Sequence, residues 1–382
     1  MKLKLFYATN RRHRGSNRWR PDEYGTDFSS DGMENLRFGQ VDIEADPIVV
    51  NRHLKRTKGD QRDAGDGEKL ADYLTRCCKQ NASIRAYPEK INRSYADVHQ
   101  PNAKFGSASM FRDLRKAMLN QSDVLVYIHG FNVSWQEAVG AALALQLMLN
   151  KENTNDTKEI LVVLFSWPSN GQALPYTSYK SDRSEAKGSG YAFGRGLLKL
   201  RDYLSELKTD FVKMGNPPCD QELHLLCHSM GNYVLQNTLA RMREFSNGKK
   251  LPRLFSHIFM AAPDIDDDAL EHDKAMSDLH ELSRNVTVYH NKGDIAMYIS
   301  DYTKGHPDRL GHEGAARPAQ LHRKAHQVDC SHLVTGLTEH SYYLWGPVNC
   351  DIRYSICGIS HDDKATRRRR KHTNFNNVWE LL

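Results

Sequence analysis

The chain lacks any apolar run approaching the roughly 20 residues that a membrane-crossing helix needs, which argues against a helical membrane span in this sequence. Its first residues, Met1 to Asn10, lack the long apolar core of a secretory signal, and their short hydrophobic run is expected to form a strand. Cysteine is sparse and unpaired in pattern. There are seven, an odd number, with Cys77 and Cys78 adjacent and no C-x-x-C pair. That disfavours a disulfide framework and suits a reducing compartment, so the expected location is cytoplasmic. Acids are missing from both basic ends: residues 1–20 carry seven Lys/Arg and no Asp/Glu, and residues 364–371 carry six and none. The net charge of +6 rests on these two stretches, and the remainder of the chain is at −7. A nucleic-acid-binding body would carry cations along a whole face, so no nucleic-acid partner is expected. The Arg367-Arg368-Arg369-Arg370-Lys371 run is read as a solvated tail with an affinity for anionic surfaces.

What is present describes a polar-surfaced globular α/β protein of 382 residues, with 39% hydrophobic residues and a mean hydropathy of −0.66. Apolar β-branched runs alternate with helical spacing from about 120 to 295, the pattern of a mostly parallel sheet with crossover helices. Strands are expected at 2–8, 37–44, 124–128, 160–166, 222–227, 256–261 and 285–290. One helix follows from Trp135, Ala138, Val139, Ala142, Leu143 and Leu147; another is expected near 190–208, with Phe193, Leu197, Leu200 and Leu204 on one face. No internal repeat is visible. The expected organisation is a single domain over 1–360, a charged variable insertion at 45–105 and a basic tail at 361–382. Residues 168–189 read as a polar loop leaving a strand end, where ligands bind in open α/β sheets, and so as a lid.

Leu223-His224-Leu225-Leu226-Cys227-His228-Ser229-Met230-Gly231-Asn232 carries the strongest chemical signal. An apolar strand ends at a small residue, a Ser follows two positions later, then a Gly, then helical spacing through Val234, Leu235, Leu239 and Met242. A tight turn there lifts the Ser229 hydroxyl off a buried strand and aims the Met230 N–H at whatever that oxygen attacks. Cys227 stands where the pattern G-x-S-x-G has its first Gly. The competing reading is a Ser that merely caps the helix.

Upstream, Val124-Leu125-Val126-Tyr127-Ile128 stops at His129-Gly130-Phe131. A second oxyanion donor is needed from the loop after an early strand, and Gly130 lets the backbone approach closely. The Phe131 N–H is the candidate. His129, Gly130 and His228 flank the two donor positions and are expected to line the pocket, together with Trp167.

Four further segments carry a family resemblance: Phe165-Ser166-Trp167-Pro168-Ser169, Ala261-Ala262-Pro263-Asp264, the opening Tyr7-Ala8-Thr9-Asn10-Arg11, and Arg309-Leu310-Gly311. With His228-Ser229-Met230-Gly231-Asn232 in this order, they resemble the DUF900 group of α/β-hydrolases over roughly residues 1–15 and 105–350. The resemblance implies an α/β-hydrolase fold, a Ser–Asp–His triad and no cofactor.

A Ser nucleophile requires a His to take its proton and a carboxylate to orient that His, in the chain order Ser, acid, His. Val286-Thr287-Val288-Tyr289 runs into a turn ending at Asp294, the expected acid, and the family's Y-x-x-x-x-D turn matches Tyr289 to Asp294. Asp264, after the preceding strand, is the alternative acid. The candidate bases are His306, His312, His322, His326, His332 and His340. Gly336 to Tyr342 resembles the family's terminal G-x-x-x-H-x-Y element, which selects His340. His322 and His326, spaced i and i+4 with Asp329 nearby, offer a weak metal reading without the Glu or third His such sites use, so no metal is expected.

The expected function is hydrolysis of a small-molecule carboxylic ester through a Ser-His-Asp triad. Amide or thioester cleavage and acyl transfer use the same parts. A non-catalytic binding scaffold is the reading from another class, disfavoured because all three triad residues are available.

Overall fold

The computed structural model describes residues 1–57, 64–88, 106–119, 122–152, 158–169, 175–214, 221–297, 308–334 and 339–382. Thirteen strands are present among them: β1 (Lys2–Thr9), β2 (Arg11–Arg14), β3 (Glu23–Phe28), β4 (Arg37–Glu44), β5 (Ser83–Ala86), β6 (Ser122–Ile128), β7 (Glu159–Ser166), β8 (Leu223–His228), β9 (Phe255–Ala261), β10 (Ser283–His290), β11 (Ala325–Asp329), β12 (Arg369–Lys371) and β13 (Val378–Leu381). The main helices are α1 (Pro47–Leu54), α2 (Gly67–Asn81), α3 (Gly106–Met118), α4 (Trp135–Asn150), α5 (Pro175–Met214), α6 (Gly231–Ser246) and α7 (Gly346–Ile356).

Eleven strands form one sheet in the order β12-β13-β11-β10-β9-β8-β6-β7-β1-β4-β5. The stretch from β1 to β13 across its centre is parallel, and antiparallel pairs finish both edges at β1/β4, β4/β5 and β12/β13. The chain leaves β6 toward β7 on one side and returns to β8 on the other. That reversal makes the carboxyl ends of β6 and β8 a topological switch point, the position at which open α/β sheets bind ligands. His129-Gly130 and Ser229 follow those two strand ends directly.

Both faces of the sheet are covered, which is why its central strands are apolar on both sides. On one face α2, α4 and α7 bury Leu70, Leu74, Trp135, Leu143 and Ile352. On the other, α3, α5 and α6 bury Met110, Phe193, Leu197, Val234 and Leu239. The α4 helix starts at a capping box in which Ser134 Oγ accepts from the Glu137 N–H and Glu137 Oε2 accepts from the Ser134 N–H. The expected strands match β1, β4 and β6 to β10.

Several segments differ from their expected form. Residues 47–86, read as part of a charged insertion, supply α1, α2 and β5, and α2 packs its Leu70, Leu74 and Cys77 face into the core. The helix expected at 190–208 begins at Pro175 and ends at Met214, so most of the expected loop at 168–189 is helix; residues 170–174 lie outside the described residues. The buried face of these early turns is small or polar (Asp182, Ala186, Ser189), so it has no large apolar residue to show a helical period. Gly190 permits the close approach of α5 to α6, since a Cβ there would lie 2.6 Å from Asn237 Cβ and 2.9 Å from the Val234 carbonyl oxygen.

The basic C-terminal segment is not a solvated tail: β13 pairs with β11, and Trp379 and Leu381 enter the core. Arg368 and Arg369 are buried on Asp351 of α7, with Arg369 Nε donating to Asp351 Oδ1 at 2.8 Å and Arg368 Nη1 to the Asp351 carbonyl at 2.7 Å. Tyr289 OH donates to Asp351 Oδ2 at 2.6 Å. The Asp351 side chain is thus the counter-charge that lets a basic strand join the sheet. Removing one partner of such a buried cluster leaves an uncompensated charge, at a cost of about 3–5 kcal/mol. Asp351→Ala is therefore expected to lower unfolding stability by about that amount in urea. A loss below about 1 kcal/mol would mean that water reaches the arginines.

His322 and His326 do not share a helix face. His326 lies in β11 with its ring 4.2 Å from that of His361, whereas His322 stacks on His280 at 3.7 Å. Among the described residues no helix is long and apolar enough to cross a membrane.

Candidate active site

The turn after β8 holds Ser229 at φ +51°, a conformation that L residues adopt only when their surroundings enforce it. The enforcing contacts are backbone bonds: the Ser229 N–H donates to the Ala261 carbonyl at 2.9 Å, and its own carbonyl accepts from the Asp264 N–H at 3.2 Å. Asn232 closes the turn by donating its side-chain amide to the carbonyls of Cys227 and Ser229, at 2.9 and 3.1 Å. The glycines at this point have a steric reason. A Cβ on Gly130 would lie 2.9 Å from Ser229 Cβ, and one on Gly231 would lie 2.7 Å from the His129 carbonyl oxygen. The Cys227 position is fully buried and holds a small side chain, and burial pushes its thiol well up, so the thiol is inert.

Asp294 and His340 meet although 46 residues separate them: His340 Nδ1 lies 2.6 Å from Asp294 Oδ2. The other carboxylate oxygen, Oδ1, accepts the N–H groups of Ala296 at 3.0 Å and Met297 at 3.3 Å, which fixes the plane of the carboxylate. Asn291 shapes this turn by accepting the Gly293 N–H at 2.9 Å. His340 also lies beside the Ser229 elbow through its neighbour: His228 Nε2–H donates to the His340 carbonyl at 3.1 Å, and the two rings are 4.6 Å apart. Burial and the nearby His340 hold His228 well below the usual histidine range, so it stays neutral.

The alternative acid, Asp264, faces elsewhere. Its Oδ2 accepts the Tyr179 hydroxyl at 2.8 Å, and its Oδ1 lies 3.6 Å from Arg309 Nε. Arg309-Leu310-Gly311 ties the two strand ends together: Arg309 also pairs with Asp266 at 2.6 Å, the Gly311 N–H donates to the Pro263 carbonyl, and its carbonyl accepts from Asn291.

The loop after β6 is locked from behind. Burial, with the Arg11 charge, lowers His129 to about 3. Its Nε2 accepts the Trp167 N–H at 3.2 Å, so the proton sits on Nδ1, which donates to the Gly130 carbonyl at 2.9 Å. The His129 and Trp167 rings stack at 5.2 Å, and both are fully enclosed. They support the loop from below, with no surface left to line a pocket. The Asn132 N–H donates to Asp182 Oδ2 at 3.2 Å and the Val133 N–H to Ser169 Oγ at 3.1 Å. Among the described residues no partner is present for the N–H of Phe131 or of Met230.

Arg11 is the residue of this region that sequence reasoning left without a role. It is completely buried and ties β3, the end of β7 and the loop after β6 together, donating from Nε to Ser166 Oγ at 2.8 Å and from its two terminal nitrogens to the carbonyls of Gly25 at 3.1 Å and Val133 at 2.7 Å. Burial pulls it down to about 9, with Asp182 and Glu185 opposing, so it remains a cation at neutral pH. The available signal was an Arg directly after an apolar strand, a costly charge to place at a sheet centre.

A parallel sheet with a strained Ser elbow at its switch point and an Asp–His pair on later strand ends defines the α/β-hydrolase class. The chain belongs to the DUF900 family, described as alpha/beta hydrolase of unknown function, whose model matches residues 107–348. Among curated proteins none matches the sequence. A solved structure described as "the putative cell surface hydrolase from Lactobacillus plantarum WCFS1" is similar at 14% identity, covering 64% of this chain and 96% of that one, with a TM-score of 0.33. A likeness of that size adds nothing to the family match.

Proposed function

We propose that the protein is a serine hydrolase that cleaves a carboxylic ester through an acyl-enzyme. The observation that carries this reading is the 2.6 Å pair of His340 and Asp294 beside a Ser held at positive φ. Asp294 holds the proton of His340 on Nδ1 and leaves Nε2 to accept the Ser229 proton as Oγ attacks the acyl carbon. The carbonyl oxygen gains charge in that step, and the free N–H groups of Phe131 and Met230 receive it. Each such donor is typically worth about 3 kcal/mol in the transition state. The C–O bond to the alcohol then breaks, and His340 returns its proton to the departing oxygen. Water, deprotonated by the same nitrogen, attacks the acyl-enzyme and releases the acid.

A fluorophosphonate probe tests the reading directly, because it forms a covalent bond only with an activated serine. The protein is expected to be labelled at Ser229, as read by peptide mass, and Ser229→Ala to be unlabelled. A folded wild-type protein that resists the probe would overturn the proposal in favour of a binding scaffold.

A further inference from the structure

Resting on that reading, we infer that the site takes esters bearing a second, anionic group, recognised by Arg183. The residue lies one turn beyond Tyr179 on α5. Its guanidinium rests on the Tyr233 ring at 4.0 Å, and Nη1 lies 3.5 Å from the Tyr179 hydroxyl. Tyr179 joins this group to the chemistry on two sides. Its hydroxyl donates to Asp264, whose N–H holds the Ser229 carbonyl, and its ring lies 5.6 Å from that of Phe131. Tyr233 stands one helical turn after Ser229, with its N–H on the Met230 carbonyl. Phe131, Tyr179 and Tyr233 therefore form an aromatic wall beside the oxyanion donors, with one cation set into it.

That cation is uncommitted in a way its neighbours are not. Arg11 is saturated by carbonyls and hydroxyls, and Arg309 pairs with Asp264 and Asp266. Arg183 is half-buried, and among the described residues it forms no ion pair; its one hydrogen bond is the long contact to Tyr179. A guanidinium carries five donors in a planar fork suited to carboxylate or phosphate. Stacking on Tyr233 holds that plane in place, and half-burial makes it worth more to an anion than an exposed lysine would be. The geometry matches a preset counter-charge for a substrate carboxylate or phosphate.

Two matched ester pairs locate the anion. Mono-p-nitrophenyl glutarate against p-nitrophenyl valerate places it on the acyl side; p-acetoxybenzoate against phenyl acetate places it on the leaving group. The ratio of kcat/KM, anionic over neutral, is expected to fall at least tenfold in Arg183→Met for one pair and to recover in part in Arg183→Lys. Unchanged ratios for both pairs would overturn the inference. Calorimetric titration of Ser229→Ala with the same four esters separates this inference from the hydrolase reading. A preference for an anionic ester that is lost in Arg183→Met/Ser229→Ala upholds the anion site even if wild type cleaves none of the esters, and that failure would then fall on the hydrolase reading. No preference in the titration overturns the anion site whatever the turnover. If Arg183→Met does not fold, the wild-type preference must still weaken as salt rises, and a salt-independent ratio counts against it.

Discussion

Ser229→Ala is expected to lower ester turnover by about six orders of magnitude and to leave the fold intact. The two halves of this expectation have separate grounds. The Ser229 hydroxyl makes no hydrogen bond among the described residues, so its removal orphans no buried partner. The strained φ is held by the backbone bonds of Ser229 to Ala261 and Asp264 and by the Asn232 amide, all of which survive in the variant. Ala pays the same left-handed penalty as Ser, so stability should change little. The chemistry has no substitute, because no other hydroxyl sits on the elbow, and the buried Cys227 points its inert thiol into the core. Turnover of p-nitrophenyl butyrate and a thermal melt followed by circular dichroism measure both. A folded variant that retains more than a few per cent of wild-type rate would remove Ser229 from the mechanism.

The legible parts of this fold were those where one residue type repeats with one period. The strands β6 to β10 are apolar on both faces because helices cover both, and α4 shows its period through Trp135, Val139, Ala142 and Leu143. The parts that escaped depend on pairings between distant residues. β12 and β13 join the sheet with Asp351 of α7 neutralising Arg368 and Arg369 and with Trp379 and Leu381 in the core, whereas a run of cations by itself reads as solvated. The start of α5 escaped because its buried face is Asp182, Ala186 and Ser189: Asp182 accepts from the loop after β6, Ser189 from Asn10, and only the small Ala186 joins the core.

The candidate site divides the same way. Ser229, Gly130 and Gly231 are visible because a turn of that curvature tolerates few residue types, and the tolerance is set by neighbours in sequence. Which carboxylate meets which histidine depends on how distant segments converge; Asp264 and Asp294 each follow a parallel strand, and only the Tyr289-to-Asp294 turn pattern favours the second in the sequence. The structure separates them by their partners: Arg309 and Tyr179 engage the first, His340 the second. Arg11 was invisible as a tie beneath the site because its three partners, Gly25 in β3, Ser166 at the end of β7 and Val133 in the loop after β6, are far apart in sequence.

Asp294→Asn is expected to cost about four orders of magnitude in kcat with little change in KM. An amide nitrogen in place of Oδ2 would donate toward His340 Nδ1 and force the ring proton onto Nε2. The base would then present a proton to Ser229 instead of a lone pair. Asn can still accept the Ala296 and Met297 N–H groups through its carbonyl oxygen, so the turn geometry is kept and the loss is confined to the tautomer. Nothing in this change touches the aromatic wall or the oxyanion donors, which is why substrate binding should persist. Asp264→Asn provides the contrast. Its carboxylate orients Tyr179 and Arg309 and makes no contact with the base, so its loss should stay within about a hundredfold in kcat/KM, in the range of other positioning contacts. The reverse pattern, with Asp264→Asn the slower enzyme by orders of magnitude and Asp294→Asn close to wild type, would transfer the acid role to Asp264 and require His340 to reorient during turnover.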